Sequence, residues 1–185
     1  MRKVILNVAV SLDGYIEGPN GEYDWCFADQ DYGMSTFFEQ IDLIFMGSKS
    51  YNLIKTTGDI NAFPQTKCVF SDSLQPQEHP DVEIIRSAGF KERVLEIKNE
   101  FGGDIWLFGG ADLMSSFLKE NLIDDFIVSI HPIILNGGKL MFTPLNTRTE
   151  LIHTGTETYS SGLVQARYTL KPVFDMSILD RQLAE

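Results

Sequence analysis

The run Asp104-Ile105-Trp106-Leu107-Phe108 stops abruptly at Gly109-Gly110, and a stretch with Leu113, Phe117 and Leu118 on one helical face starts directly behind it. A strand that breaks into paired glycines and opens a helix commits this part of the chain to a βα unit. Such a unit must bury its strand in a sheet and lay its helix on that sheet. The same junction suits an anion. Glycine has no Cβ, so a ligand approaches the backbone closely, and the helix N-terminus offers free N–H groups with partial positive charge. Two glycines alone do not specify a ligand.

Related patterns recur along the chain. Val4 to Val10 reads as a buried strand, ended by the turn Ser11-Leu12-Asp13-Gly14, and Gly18-Pro19-Asn20-Gly21 reads as loop. A short helix is expected over 34–41. Leu43-Ile44-Phe45-Met46 is a second strand that runs into Gly47-Ser48-Lys49-Ser50 and a helical stretch through Ile54. Lys67-Cys68-Val69-Phe70 is a third, ending at Ser71-Asp72, and Val82 to Ile85 a fourth. Ser87 is expected to cap a helix carrying Phe90, Val94, Ile97 and Phe101, which Gly102-Gly103 stops. Asp125 to Ile130 is a further strand, and 151–158 with 162–170 forms a closing hairpin. At 185 residues one domain is the default. Strand–helix alternation giving way to antiparallel strands predicts a single three-layer α/β domain over 1–171. Its sheet is mixed and mostly parallel, with helices on both faces and a C-terminal antiparallel hairpin.

Composition narrows the partners. A net charge of −11 repels polyanions, so nucleic acid is not an expected partner, and any phosphorylated ligand needs local donors or cations. Cys26 and Cys68 are far apart and form neither a metal-ligand spacing nor a disulfide framework, which suits a reducing cytoplasm. His79, His131 and His153 are scattered, so no metal is expected. No run approaches the ~18 apolar residues of a membrane span. Residues 172–185 carry Phe174, Met176, Ile178, Leu179 and Leu183, which is much apolar surface for a free tail; packing on the domain or in a homodimer contact are the two expectations.

Three strands end in small or polar residues on one expected edge: Met46 into Gly47, Phe70 into Ser71-Asp72, and Phe108 into Gly109-Gly110. In α/β sheets the ligand sits outside the carboxyl ends of the strands, and a dinucleotide needs several contacts spread along such an edge. Neither a Walker loop nor a full Rossmann fingerprint is present.

The chain resembles the dihydrofolate reductase-like superfamily, and more closely the branch related to the reductase domain of bifunctional riboflavin-biosynthesis proteins. The matching pieces are Val8-Ala9-Val10-Ser11-Leu12-Asp13-Gly14-Tyr15-Ile16, Tyr23-Asp24-Trp25, Met46-Gly47-Ser48-Lys49-Ser50-Tyr51, Val69-Phe70-Ser71, Leu107-Phe108-Gly109-Gly110-Ala111, and His131-Pro132-Ile133-Ile134-Leu135-Asn136-Gly137-Gly138. They follow the family's order.

The resemblance implies a reductase that takes hydride from NADPH. It places the nicotinamide against Ala9 and Ile16, and the phosphates on Gly47, Lys49, Ser50, Gly109, Gly110 and Ala111, with Phe108 ahead of the paired glycines. Two departures bear on the cofactor. Many relatives have a basic residue where Ser48 stands, and Ser-Arg where Ser71-Asp72 stands. An acid there repels a 2′-phosphate and accepts from a free ribose 2′-OH, so NADH, a flavin or no cofactor stand beside NADPH. The resemblance also points to a carboxylate shortly after a Trp. Asp29, behind Trp25, is the candidate proton donor, against its reading as a solvated helix start. Trp25 and Phe38 are candidate walls for a flat substrate, although Phe38, at helical spacing with Ile41, reads first as core. The second class of function is a non-catalytic nucleotide- or flavin-binding module on the same fold.

Overall fold

The computed structural model describes residues 1–144 and 148–172. Among the described residues, ten strands and four α-helices follow one another as β1 Val4–Ser11, β2 Tyr15–Glu17, α1 Met34–Gln40, β3 Ile41–Gly47, α2 Ser48–Thr57, β4 Thr66–Phe70, β5 Glu83–Ile85, α3 Phe90–Asn99, β6 Asp104–Gly109, α4 Ala111–Lys119, β7 Asp125–His131, β8 Lys139–Leu140, β9 Leu151–Thr158 and β10 Val164–Leu170. Eight strands form one sheet in the order β5-β4-β3-β6-β1-β7-β10-β9, and β2 pairs with β8 in a separate ribbon. The first six strands of that order are parallel, and β10 and β9 close the sheet antiparallel. The expected mixed sheet with a terminal hairpin is the observed one. The segment beyond residue 172, expected to pack on the domain or on a partner, lies outside the described residues.

The central strands are nearly all apolar because helices cover both faces, as parallel sheets require. On one face Leu6, Phe45 and Leu107 pack with Val94 and Ile97 of α3 and with Met114 and Phe117 of α4. On the other, Ile5, Ile44 and Trp106 pack with Phe37 of α1 and with Tyr51 and Ile54 of α2. Burial of this kind supplies about 25 cal/mol per Å² of apolar surface and dominates the stability.

Strand order positions the site. After β1 the chain crosses to β3 and works outward through β4 and β5. It then returns to insert β6 between β3 and β1. The carboxyl ends of β1, β3 and β6 therefore lie side by side.

Two local expectations are corrected. Ser87 does not cap α3: the cap is Gly89 at φ 79, with no side-chain hydrogen bond. Ser87 instead donates its N–H and its hydroxyl to the Asp72 carboxylate, at 2.9 and 2.6 Å. Phe101 is not on the helical face. The helix ends at Asn99 and Phe101 is fully exposed. The chain turns here into β6, and Gly103 passes so close to the α1–β3 junction that a Cβ would meet the Gln40 carbonyl at 2.7 Å.

The β2–β8 ribbon has no sequence counterpart, since both strands are very short. It is anchored through Asp13, whose carboxylate accepts the Leu135 and Asn136 N–H groups at 3.1 and 2.8 Å. The Ser11 hydroxyl first, and then these amides, hold the Asp13 carboxyl below its usual range. Gly138 lies at φ +116 against the Glu17 carbonyl, where any Cβ would collide.

Candidate active site

A cavity of about 830 Å³ opens at the carboxyl ends of β1, β3 and β6. Its size is that of a pocket for a cofactor together with a small substrate. One wall is backbone and small side chains: Gly47, Ser48, Lys49 and Ser50 at the start of α2, and Gly110 with Asp112 and Leu113 at the start of α4. The lining also carries aromatic and apolar side chains, among them Tyr23, Leu53, Phe63, Trp106 and Phe108. Ala9 of β1 and Ile16 of β2 line the cavity as well.

The two glycine turns touch each other. A Cβ built on Gly47 would sit 3.7 Å from the Gly109 carbonyl oxygen and 3.8 Å from the Gly110 nitrogen. Gly47 is the N-cap of α2 and Gly110 the N-cap of α4, and neither helix start carries a side-chain cap. The first N–H groups of a helix have no partner within it. Two such sets of donors, each at the positive end of a helix dipole, meet at one point of the cavity wall. Gly109 has φ +117, a conformation open to glycine, and the Gly109–Gly110 peptide is cis.

Of the residues singled out from sequence, Trp25, Asp29, Phe38, Ser71, Asp72, Gly109 and Ala111 lie outside the lining and the others belong to it. Ala9, Ile16, Gly47, Ser48, Lys49, Ser50, Phe108 and Gly110 line the cavity. Gly109 and Ala111 are buried at the base of the second turn. Ser71 and Asp72 directly follow β4, one and two residues beyond Phe70, which does line the cavity. The Asp72 carboxyl is held below its usual range, chiefly by the Ser87 hydroxyl. Asp29 lies outside the lining, is exposed, and accepts the Tyr32 hydroxyl at 2.6 Å. Trp25 meets the His131 ring edge-on at 5.2 Å. Phe38 is half-buried in an aromatic group with Phe37, Phe63 and Trp106, with centroids 5.7 to 6.1 Å apart.

Other residues came to notice only in three dimensions. Arg86 follows β5, and its Nη1 donates to the Ser71 carbonyl at 2.7 Å. The β4–β5 pairing puts this cation beside Asp72, where the sequence offered only an acid. Glu17 and Lys139 are register partners across the β2–β8 ribbon, and both line the cavity. The lining carries four formally charged side chains, Glu17, Lys49, Asp112 and Lys139, so the cavity is locally balanced although the chain is strongly acidic. The thiols are unsuited to chemistry at neutral pH: burial pushes Cys26 up to about 11 and Cys68 up to about 12.

Known proteins share this architecture. A protein of Shewanella sp. PV-4 whose assignment to riboflavin biosynthesis is provisional superposes with a TM-score of 0.79 at 23% identity, over 93% of this chain and 100% of that one. Dihydrofolate reductase from Enterococcus faecalis, solved in complex with NADP(H), superposes with a TM-score of 0.64 at 14% identity, over 92% and 97%. In sequence, the uncharacterised protein YyaP of Bacillus subtilis (strain 168) is 41% identical over 177 residues, 90% of this chain and 94% of that protein. The sequence pattern of the RibD C-terminal domain matches residues 2–165. With a dihydrofolate reductase-like sheet, glycine turns at its carboxyl edge and that pattern along most of its length, the chain belongs to the RibD C-terminal domain family.

Proposed function

We propose that the protein is an NADPH-dependent reductase that transfers hydride to a small, flat heterocyclic or sugar-like substrate. One observation carries this reading: the abutting turns at Gly47 and Gly109-Gly110 join two helix N-termini at a cavity that aromatic side chains also line. The first feature suits a pyrophosphate and the second a planar ring.

When bound, the nicotinamide supplies the hydride, and the chain's residues position and shield. Ser48, Lys49, Ser50 and Gly110 hold the phosphates. Lys49 adds a cation that the chain's overall charge makes necessary. Ala9 and Ile16 form the surface on which donor and acceptor are aligned. Tyr23, Phe63, Trp106 and Phe108 exclude water around the acceptor. The Trp106 indole is itself fixed, its Nε1 donating to the Asn7 carbonyl at 3.0 Å. Arg86 is the candidate cation for a 2′-phosphate, since Asp72 beside it is already engaged by Ser87. The assembly proposed is a homodimer.

The test is direct. Titrating the purified protein with NADPH, NADH, FMN and FAD, followed by cofactor oxidation with pterin-like and pyrimidine substrates, separates a reductase from a nucleotide- or flavin-binding module. Saturable NADPH binding with substrate-dependent oxidation supports the reading. Binding of a flavin alone refutes it.

A further inference from the structure

The loop between β2 and α1 forms no strand or α-helix, yet it walls two cavities. Its Tyr23 lines the cavity described above, and its Tyr32 and Gly33 line a smaller one of about 260 Å³ under α1; Asn7 of β1 belongs to both. The C-terminal end of the loop is tied to β10, where Gln165 Nε2 donates to the Tyr32 carbonyl at 3.3 Å. The middle of the loop is held by His131, the last residue of β7. The Phe27 N–H donates to His131 Nε2 at 3.1 Å, and Nδ1 lies 3.0 Å from the Ser129 carbonyl oxygen.

These two contacts fix the state of the ring. A carbonyl oxygen only accepts and a backbone N–H only donates, so the proton is on Nδ1 and Nε2 presents a lone pair. The residue is 3% exposed, and the Trp25 and Phe27 rings stand 5.2 and 5.0 Å from its ring. Phe27 continues the contact to Tyr32 at 6.3 Å, and Tyr32 to Tyr159 at 4.9 Å. The grip therefore sits midway between the loop's two cavity-facing ends.

We propose that His131 is a positioning residue: as a neutral imidazole it holds the 23–33 loop against the end of β7 and thereby sets a wall of each cavity. The loop contact stands by itself. Only its consequence for ligand affinity rests on the reductase reading. A proton on Nε2 would set two N–H donors face to face and break the hold. Three influences act on the ring. Burial, the largest, lowers its pKa below the ordinary value, and the Ser129 and Val10 carbonyls raise it. Those three involve no charged side chain. On the loop itself, Asp24 acts on the Cys26 thiol. Asp29 accepts from Tyr32, Asp13 from Ser11 and the 135–136 amides, and the Cys26 thiol stays neutral.

The sign follows. An open loop leaves an ordinary histidine that takes a proton near pH 6.5, whereas the closed ring resists until lower pH. The closed state binds fewer protons, so its stability is fully present above about pH 6.5 and falls as pH drops below it, by up to tenfold per unit.

Hydrogen exchange read by mass spectrometry tests this, with protection factors for residues 22–33 measured from pH 7.5 to 5 and the strands as internal control. In the wild type, loop protection should fall below about pH 6.5 while the strands stay protected. His131→Gln offers a carbonyl acceptor that does not titrate, and should keep protection flat across the range. His131→Leu should lose about tenfold of protection at every pH, the effect of one buried hydrogen bond. If the Leu variant fails to fold, the wild-type profile and the Gln variant decide the matter. Wild-type protection that does not change with pH, or a Gln variant that follows the wild type, would overturn the proposal. NADPH affinity measured on the same proteins separates the two readings. A loop transition without NADPH binding sinks the reductase and leaves the loop contact standing; NADPH binding with a loop insensitive to pH does the reverse.

Discussion

Replacing Gly47 with Ala separates what this glycine does for the fold from what it does for a ligand. Gly47 has φ −76 and ψ 158, which any residue adopts. A methyl there would meet the Gly109 oxygen at 3.7 Å, the Gly110 nitrogen at 3.8 Å and the Leu113 Cβ at 4.0 Å, all ordinary contacts. Removing a glycine from a compatible conformation stabilises a chain by about 0.4–1 kcal/mol through the unfolded state. The melting temperature should therefore stay level or rise by about 1–4 °C. The methyl nevertheless occupies the point where the two helix N-termini converge. A phosphate kept from that point loses one charge-assisted backbone hydrogen bond, worth about 1.5–3 kcal/mol, or roughly a 10- to 150-fold weaker dissociation constant. Calorimetric titration with NADPH, beside a thermal melt, reads both quantities. Undiminished affinity in a folded variant would show that no phosphate rests on Gly47. A large drop in melting temperature would show that the glycine serves the fold.

Four further outcomes are expected. Lys98 is almost wholly buried, and its Nζ meets the Asp124 carboxylate at 2.6 Å, an oxygen that also accepts the Val4 N–H. Lys98→Met leaves that partly exposed carboxylate without its cation and should cost about 2–3 kcal/mol in urea denaturation, below the full penalty for a wholly buried pair. Arg86→Ala should weaken NADPH by about tenfold while leaving NADH unchanged; an equal loss for both would clear Arg86 of any part in choosing the 2′-phosphate. Asp29→Asn should leave turnover of a true substrate within about twofold, because its carboxylate faces Tyr32 and not the cavity. Light scattering should give the mass of a dimer; a monomer at micromolar concentration would exclude the proposed assembly.

Much of the architecture was legible in the sequence. The runs at 4–10, 43–46, 67–70 and 104–108 are short, apolar and bounded by turn residues, and each became a buried strand. The helical face at Leu113, Phe117 and Leu118 was equally clear, because its period of 3.6 is a local signal. Errors arose where a local pattern met a distant constraint. Phe101 continues the helical spacing of α3, but the helix ends at Asn99 and the chain then passes tightly by Gln40 at Gly103. Ser87 looks like a cap until Asp72, on another strand end, takes both of its donors. The β2–β8 ribbon is too short to show a period at all.

The sequence by itself determined most of the strands and helices of the main sheet, that this sheet is mostly parallel, and that several of its strands end in glycine or serine. Period, apolar content and turn chemistry are written within a few residues of one another. Only the tertiary structure decided which of those ends meet. By inserting β6 between β3 and β1, the fold brings Gly47 against Gly109-Gly110. By pairing β4 with β5 it sets Arg86 beside Asp72, and by ending β7 under the loop it gives His131 its grip on Phe27. These contacts join residues far apart along the chain, and strand order, which no local pattern encodes, is what brings them together.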